Sequence, residues 1–364
     1  MSSRRIGRLK AAGRVDRIDG ALEIEEPVAV QPQVDDGWLC ARTTLVLLRS
    51  FPGTTISHAG ENAGDGPVNA PRSYQKSRLF FHVATALEMW EGRQSLGLTD
   101  PLGLRDVTDP PNVRTFIMGS TQHGPAGLPL PTHQPLSNCQ QQSNPNPQLW
   151  TMRALLSALT AWVLEEVPPP QSAVPHIADR TLVPPDQVHF PEIPASSYGG
   201  VERPAVSPLR IYDSLHVLDY GPLYHAVDSS GIITREPPLA RSPSYGILEM
   251  QVDADGNDVA GIESVFSQVP IGTYTGWNLF RKDHFENGLC NLQGSFIPFA
   301  PTRAERLAIG DPRPSIEERY PTKESYVAAI RKAANGLVAK RYLLREDADL
   351  LIHRAESEGI RAAP

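Results

Sequence analysis

The stretch Asn112-Val113-Arg114-Thr115-Phe116-Ile117-Met118-Gly119-Ser120-Thr121-Gln122-His123-Gly124-Pro125 decides how this chain reads. An apolar run rich in β-branched and aromatic residues stops at small residues, and a histidine stands on the turn that follows. In an open α/β sheet the strand ends point into the crevice where ligands bind, so His123 sits where chemistry is done.

Working outward, Leu79-Phe80-Phe81-His82-Val83 reads as a second buried strand, followed by Ala84 to Trp90 as a turn entering a short helix. Thr151 to Glu166 carries Met152, Leu155, Leu156, Leu159, Trp162 and Val163 at helical spacing, and Pro168-Pro169-Pro170 ends it. Strand, connection, strand, helix is the order of an α/β sheet covered by helices. A Pro-rich wrap from about 168 to 245 follows. Tyr245 to Val252 and Val259 to Val265 read as a β-hairpin around Asp253-Ala254-Asp255-Gly256-Asn257, and Ser325 to Ala355 as a helical tail. Before residue 77 the only convincing strand is Thr43 to Leu48, and turn formers crowd Phe51 to Arg72. The predicted organisation is therefore an atypical, loosely ordered segment over 1–76 and a domain over 77–364. Within that domain lie strands and helix (77–167), a loop-rich wrap with the hairpin (168–300) and a helical tail (301–364).

A chain of 364 residues can bury a substantial core, while 35 prolines and 28 glycines predict long irregular connections. The formal charge of −7 gives no basic footprint, which argues against nucleic acid or an anionic membrane as partner. No secretory signal is recognisable and no segment is long enough to span a bilayer, so the sequence as written reads as cytoplasmic. Three cysteines without metal spacing, Cys40, Cys139 and Cys290, read as reduced thiols, with a Cys139 to Cys290 disulfide as the alternative, favoured if an intact form is exported.

Several segments invite chemistry. The acids from Asp253 to Asp258 suggest calcium, but an EF-hand needs glycine sixth and glutamate twelfth, where Asp258 and Ser264 stand, so a turn is the better reading. His123, His133 and Cys139 match no zinc pattern. Asn138 to Pro147, with Gln140, reads either as the lining of a polar pocket or, preferably on physics alone, as an exposed loop capping the next helix. Tyr274 to Asn278 packs over either a ligand mouth or the core. Glu88 stands past one strand as His123 stands past the other. If the strands are neighbours, its carboxylate can bond the imidazole and stabilise the imidazolium; otherwise it is a solvated helix residue.

From Leu79 to about Asp349 the chain resembles the C-terminal portion of a bacterial α/β-hydrolase domain family. The matching blocks include Glu88-Met89-Trp90, Ser120-Thr121-Gln122-His123-Gly124-Pro125-Ala126, Cys139-Gln140-Gln141, Gly272 to Asn278 and Gly294 to Ala300. The resemblance implies a partial α/β-hydrolase fold and an esterase-like enzyme using serine, acid and histidine in that chain order. Glu88 would be the acid and His123 the base, with Gln122, Gln140 and Trp90 near the substrate, a small ester-type molecule. No metal or other cofactor is implied.

A nucleophile elbow needs small residues two positions either side of its serine. Upstream of Glu88, none of Ser2, Ser3, Ser50, Ser57, Ser73 and Ser77 lies in such a setting followed by a helix, and Pro52-Gly53 spoils the nearest, Ser50. The expectation is a truncated or rejoined chain, inactive alone, with one sheet edge and one face uncovered. The alternatives are a binding or assembly module, complemented by a chain that supplies the rest of the sheet, and a metal-dependent hydrolase centred on His123.

Overall fold

A computed structural model describes residues 43–48, 78–126, 138–198, 201–209, 215–225, 230–290 and 292–360. Cys40 and His133 lie outside these residues, as does all of 1–76 except 43–48.

The principal sheet has three strands: β1 (Thr43–Leu48), β2 (Arg78–Thr85) and β3 (Val113–Met118), with β2 in the middle. β1 pairs with β2 antiparallel, and β2 with β3 in parallel, from Phe80 opposite Val113 to Thr85 opposite Met118. The two parallel strands therefore end side by side. A parallel pair needs a crossover, which here contains the short helix α1 (Ala86–Trp90).

β3 alternates its side chains between two cores. Phe116 and Met118 join Phe81 and Val83 in one core. There Phe81 and Phe116 meet edge to face at 5.0 Å. This face is covered by α2 (Leu149–Glu165) and by the C-terminal helices α3 (Lys323–Ala339) and α4 (Arg345–Glu358). Ile117 and Ala84 point the other way, onto Met89, Trp90, Leu182, Met250 and Trp277. The outer edge of β3 is occupied too: Ile117 N–H donates to Ala173 O (2.9 Å) and Gly119 N–H to Ile262 O (3.2 Å). Among the described residues both faces of β2 and β3 are thus covered, contrary to the expectation of a bare face. The wrap and the acidic turn supply the missing cover.

Other expectations shift in detail. α2 ends as predicted, with Glu166 in the left-handed region (φ 59°) before the prolines, but Leu156 lies outside the buried face. The tail is two helices rather than one, broken at Arg341 (φ 65°) so that α4 folds back on α3. The predicted hairpin is reduced to a tight turn with a Val252 to Asp258 bridge. Its first arm, Glu249–Met250, pairs instead with Leu182–Val183. Cys139 and Cys290 form a disulfide with Cα atoms 5.6 Å apart, which overturns the reading of reduced thiols. Their separation of 151 residues hides that proximity from the sequence.

Candidate functional site

The site is built at the paired ends of β2 and β3. Thr85 caps α1, and Glu88, the third residue of that helix, turns its carboxylate back to the cap. Oε2 accepts the Thr85 N–H (2.6 Å) and the Thr85 hydroxyl, using a donor that a helix start would otherwise leave unpaired. Oε1 bonds the Nδ1 of His123. Glu88 is buried while the His123 side chain is one-third exposed (33%). The pair thus has a dry anchor and an accessible ring.

A proton on Nδ1, donated to Glu88, leaves the Nε2 lone pair free to accept another. Nε2 forms no hydrogen bond among the described residues, and none of their seryl hydroxyls meets the ring. The hydrogen bond to Glu88 raises the His123 pKa above 6.5, against the opposing effect of burial. Glu91, one helical turn beyond Glu88, adds to this field. Its own carboxyl is pushed up to about 7, first by burial and then by the charge on Glu88. Its Oε1 is buried without a hydrogen-bond partner.

What aims His123 is a buried polar scaffold. Gly119 passes so close to Ala260 that a Cβ would stand 2.8 Å from its carbonyl oxygen. Ser120 follows in the left-handed region (φ 55°). Its N–H donates to Asp258 Oδ2 (2.5 Å), and its hydroxyl accepts the Asp258 N–H (2.8 Å). Its carbonyl accepts from both Asn144 and Asn146 at 2.9 Å. This serine is fully buried and bonded through every polar atom, so it anchors the base of the histidine loop. Burial pushes the Asp258 carboxyl up to about 7. The acidic turn is closed by Asp253 Oδ1, which accepts the N–H groups of Asp255 and Asn257 at 2.9 Å each.

The remaining sequence candidates separate. Gln122 is buried; its Oε1 accepts from Ser143 (2.8 Å) and from the Gly294 N–H (3.2 Å), and its carbonyl accepts from Gln148. Trp90 is 4% exposed and packs edge to face on Trp277 at 6.1 Å, in the core beneath the site. Gln140 donates to Phe280 O (3.0 Å) and Asn287 Oδ1 (3.2 Å) beside a separate cavity. The Asn138 to Pro147 segment is largely buried, which corrects the exposed-loop reading: Gln141, Gln142, Asn144 and Asn146 all lie in the interior. Cys139, held by its disulfide, is withdrawn from the His123, His133 and Cys139 metal reading. Among the described residues no group of three or more His, Cys, Asp or Glu gathers at metal-binding distance.

The sequence profile of the alpha/beta hydrolase domain family matches residues 51–353. The chain belongs to that family. The match begins at residue 51, ahead of Leu79. No curated protein and no solved structure gives a significant match to the chain. Among the described residues of the domain, no helix is long and apolar enough to cross a membrane.

Reading the sequence missed Glu91 and the contact of Asp258 with Ser120. A signal for the first existed in the spacing of Glu88 and Glu91, three apart on one short helix. None existed for the second, which meets Ser120 across 138 residues of chain.

Proposed function

We propose that Glu88 and His123 form the acid and base of a serine-esterase-type acyl-transfer site. The observation that carries this reading is the buried Glu88 carboxylate on Nδ1 of a one-third-exposed imidazole at the ends of two adjacent parallel strands. In this reading β2 and β3 are the last two strands of a hydrolase sheet. Glu88 fixes the ring and stabilises the imidazolium; Nε2 takes the proton of an attacking hydroxyl and returns it to the leaving group. The substrate class is a small ester or related acyl compound.

Among the described residues no seryl hydroxyl meets Nε2 of His123. Ser95 and Ser120 accept backbone N–H groups, while Ser143 and Ser172 donate to Gln122 and Asp109. The purified chain is therefore expected not to react with a fluorophosphonate probe. Labelling of a serine, lost in His123→Ala, would instead show a self-sufficient enzyme and name its nucleophile by peptide mapping. The Cys139 to Cys290 disulfide favours an oxidising compartment over the cytoplasm as the place of action.

A further inference from the structure

A cavity of about 270 Å³ opens between residues 205–209, the pair Gln140-Gln141 and the run Trp277-Asn278-Leu279. Val206, Leu209, Trp277 and Leu279 give it apolar surface, and no charged side chain lines it. Trp277 and Val206 are buried, whereas Ala205, Ser207 and Asn287 are exposed, so an apolar floor lies beneath a mouth that is mostly polar.

The polar groups of the interior are spent on holding the walls. Asn278 makes a pair of hydrogen bonds with the backbone of Gln141, accepting its N–H at 3.2 Å and donating to its carbonyl at 3.1 Å. Gln141 Nε2 donates to Pro204 O (3.0 Å), and Val206 exchanges both backbone hydrogen bonds with Ile193, at 2.8 and 2.9 Å. Ser295 Oγ donates to Trp277 O at 2.8 Å. The disulfide ties Cys139, next to Gln140, to Cys290, whose N–H donates to Asn278 O at 2.8 Å. Among the described residues that line the cavity, no buried side-chain nitrogen or oxygen lacks a partner.

Such a cavity is held rigid by its own bonds and offers an occupant shape and apolar contact rather than hydrogen bonds. Water inside it finds few partners, so its release favours an apolar guest. A carboxylate or an ammonium would lose hydration on entry with no counter-charge to offset the loss. An engineered apolar cavity of about 150 Å³ holds benzene, so this one has room for an aromatic ring with a small substituent. We propose that the cavity is a binding site for a small uncharged molecule with an apolar ring or branched chain, its apolar body against Trp277 and Leu279 and a neutral polar tip at the mouth. The site goes beyond the hydrolase reading and does not depend on it.

The test is an NMR titration of the full chain with benzamide, set against benzoate and benzylammonium, which carry the same ring with either charge. Benzamide is expected to shift the indole N–H of Trp277 and the side-chain amides of Gln140 and Gln141 saturably, with a Kd on the order of millimolar, and both charged probes to bind at least roughly tenfold more weakly. Leu279→Asp places a charge in the lining at a partly exposed position and should lose benzamide, while His123→Ala should keep it, which separates this site from the catalytic pair. A charged probe binding as tightly as benzamide would overturn the assignment to uncharged ligands. Shifts that do not saturate, that fall elsewhere in the chain, or that persist unchanged in folded Leu279→Asp would overturn the site. If that variant fails to fold, the wild-type titration decides by whether Trp277 and the two glutamines carry the saturable shifts.

Discussion

Replacing Glu91 by glutamine isolates the electrostatic stress of the site in a single titration. In the folded chain burial and the Glu88 charge raise this carboxyl from 4.5 to about 7. The folded state therefore keeps a proton that the unfolded chain gives up above pH 4.5. The sign follows from linkage: Glu91 costs nothing below pH 4.5, removes stability as the pH climbs to about 7, and costs a constant amount above. At 1.36 kcal/mol for each pH unit separating the two values, the full cost is about 3 kcal/mol, and nearer ~2 because the side chain retains partial access to water. Glutamine has nearly the same shape and no charge to desolvate. Urea unfolding at pH 4.5, 6 and 7.5 should show Glu91→Gln level with the wild type at the lowest pH and ahead by about 2–3 kcal/mol at the highest. His123, whose raised pKa gives stability that is full below pH 6.5 and lost as the pH rises through the folded value, adds a slope to both proteins. A stability difference that stayed the same at all three pH values would refute the argument, because no proton would then be linked to residue 91.

Two further outcomes follow from the framework around the site. The disulfide closes 151 residues, and loop-closure entropy sets its contribution at about 5 kcal/mol at most, so Cys139→Ala with Cys290→Ala should lower the urea midpoint strongly; an unchanged midpoint after reduction would contradict the crosslink. A methyl group on Gly276 would stand 2.4 Å from the Ala86 carbonyl carbon and 2.6 Å from the Leu87 nitrogen, so Gly276→Ala should push α1 off its seat, cost about 1–3 kcal/mol in thermal melts and weaken the Glu88 to His123 bond.

The parts of the fold legible in the sequence were those with local periodicity. β2, β3 and α2 each carry a run long enough to declare itself, and Glu88 and His123 were found by asking what stands just past two strands. The pairing that joins them is a property of the parallel register, which only the structure supplies. The wrap was illegible because its strands are mostly two or three residues long and held by single bridges. Asn144 and Asn146 looked like loop residues because their composition is that of a loop; they are interior because two carbonyl-rich turns needed donors. Trp90 was placed near the substrate by a resemblance alone, and its side chain packs in the core against Trp277.

The central claim is that the carboxylate of Glu88 governs the protonation of His123. Nitrogen-detected NMR titration of the His123 ring in the wild type and in Glu88→Gln tests it most directly. The account predicts a wild-type midpoint above 6.5 with the proton on Nδ1 in the neutral form, and a lower midpoint in the variant. Identical titrations in the two proteins would contradict it.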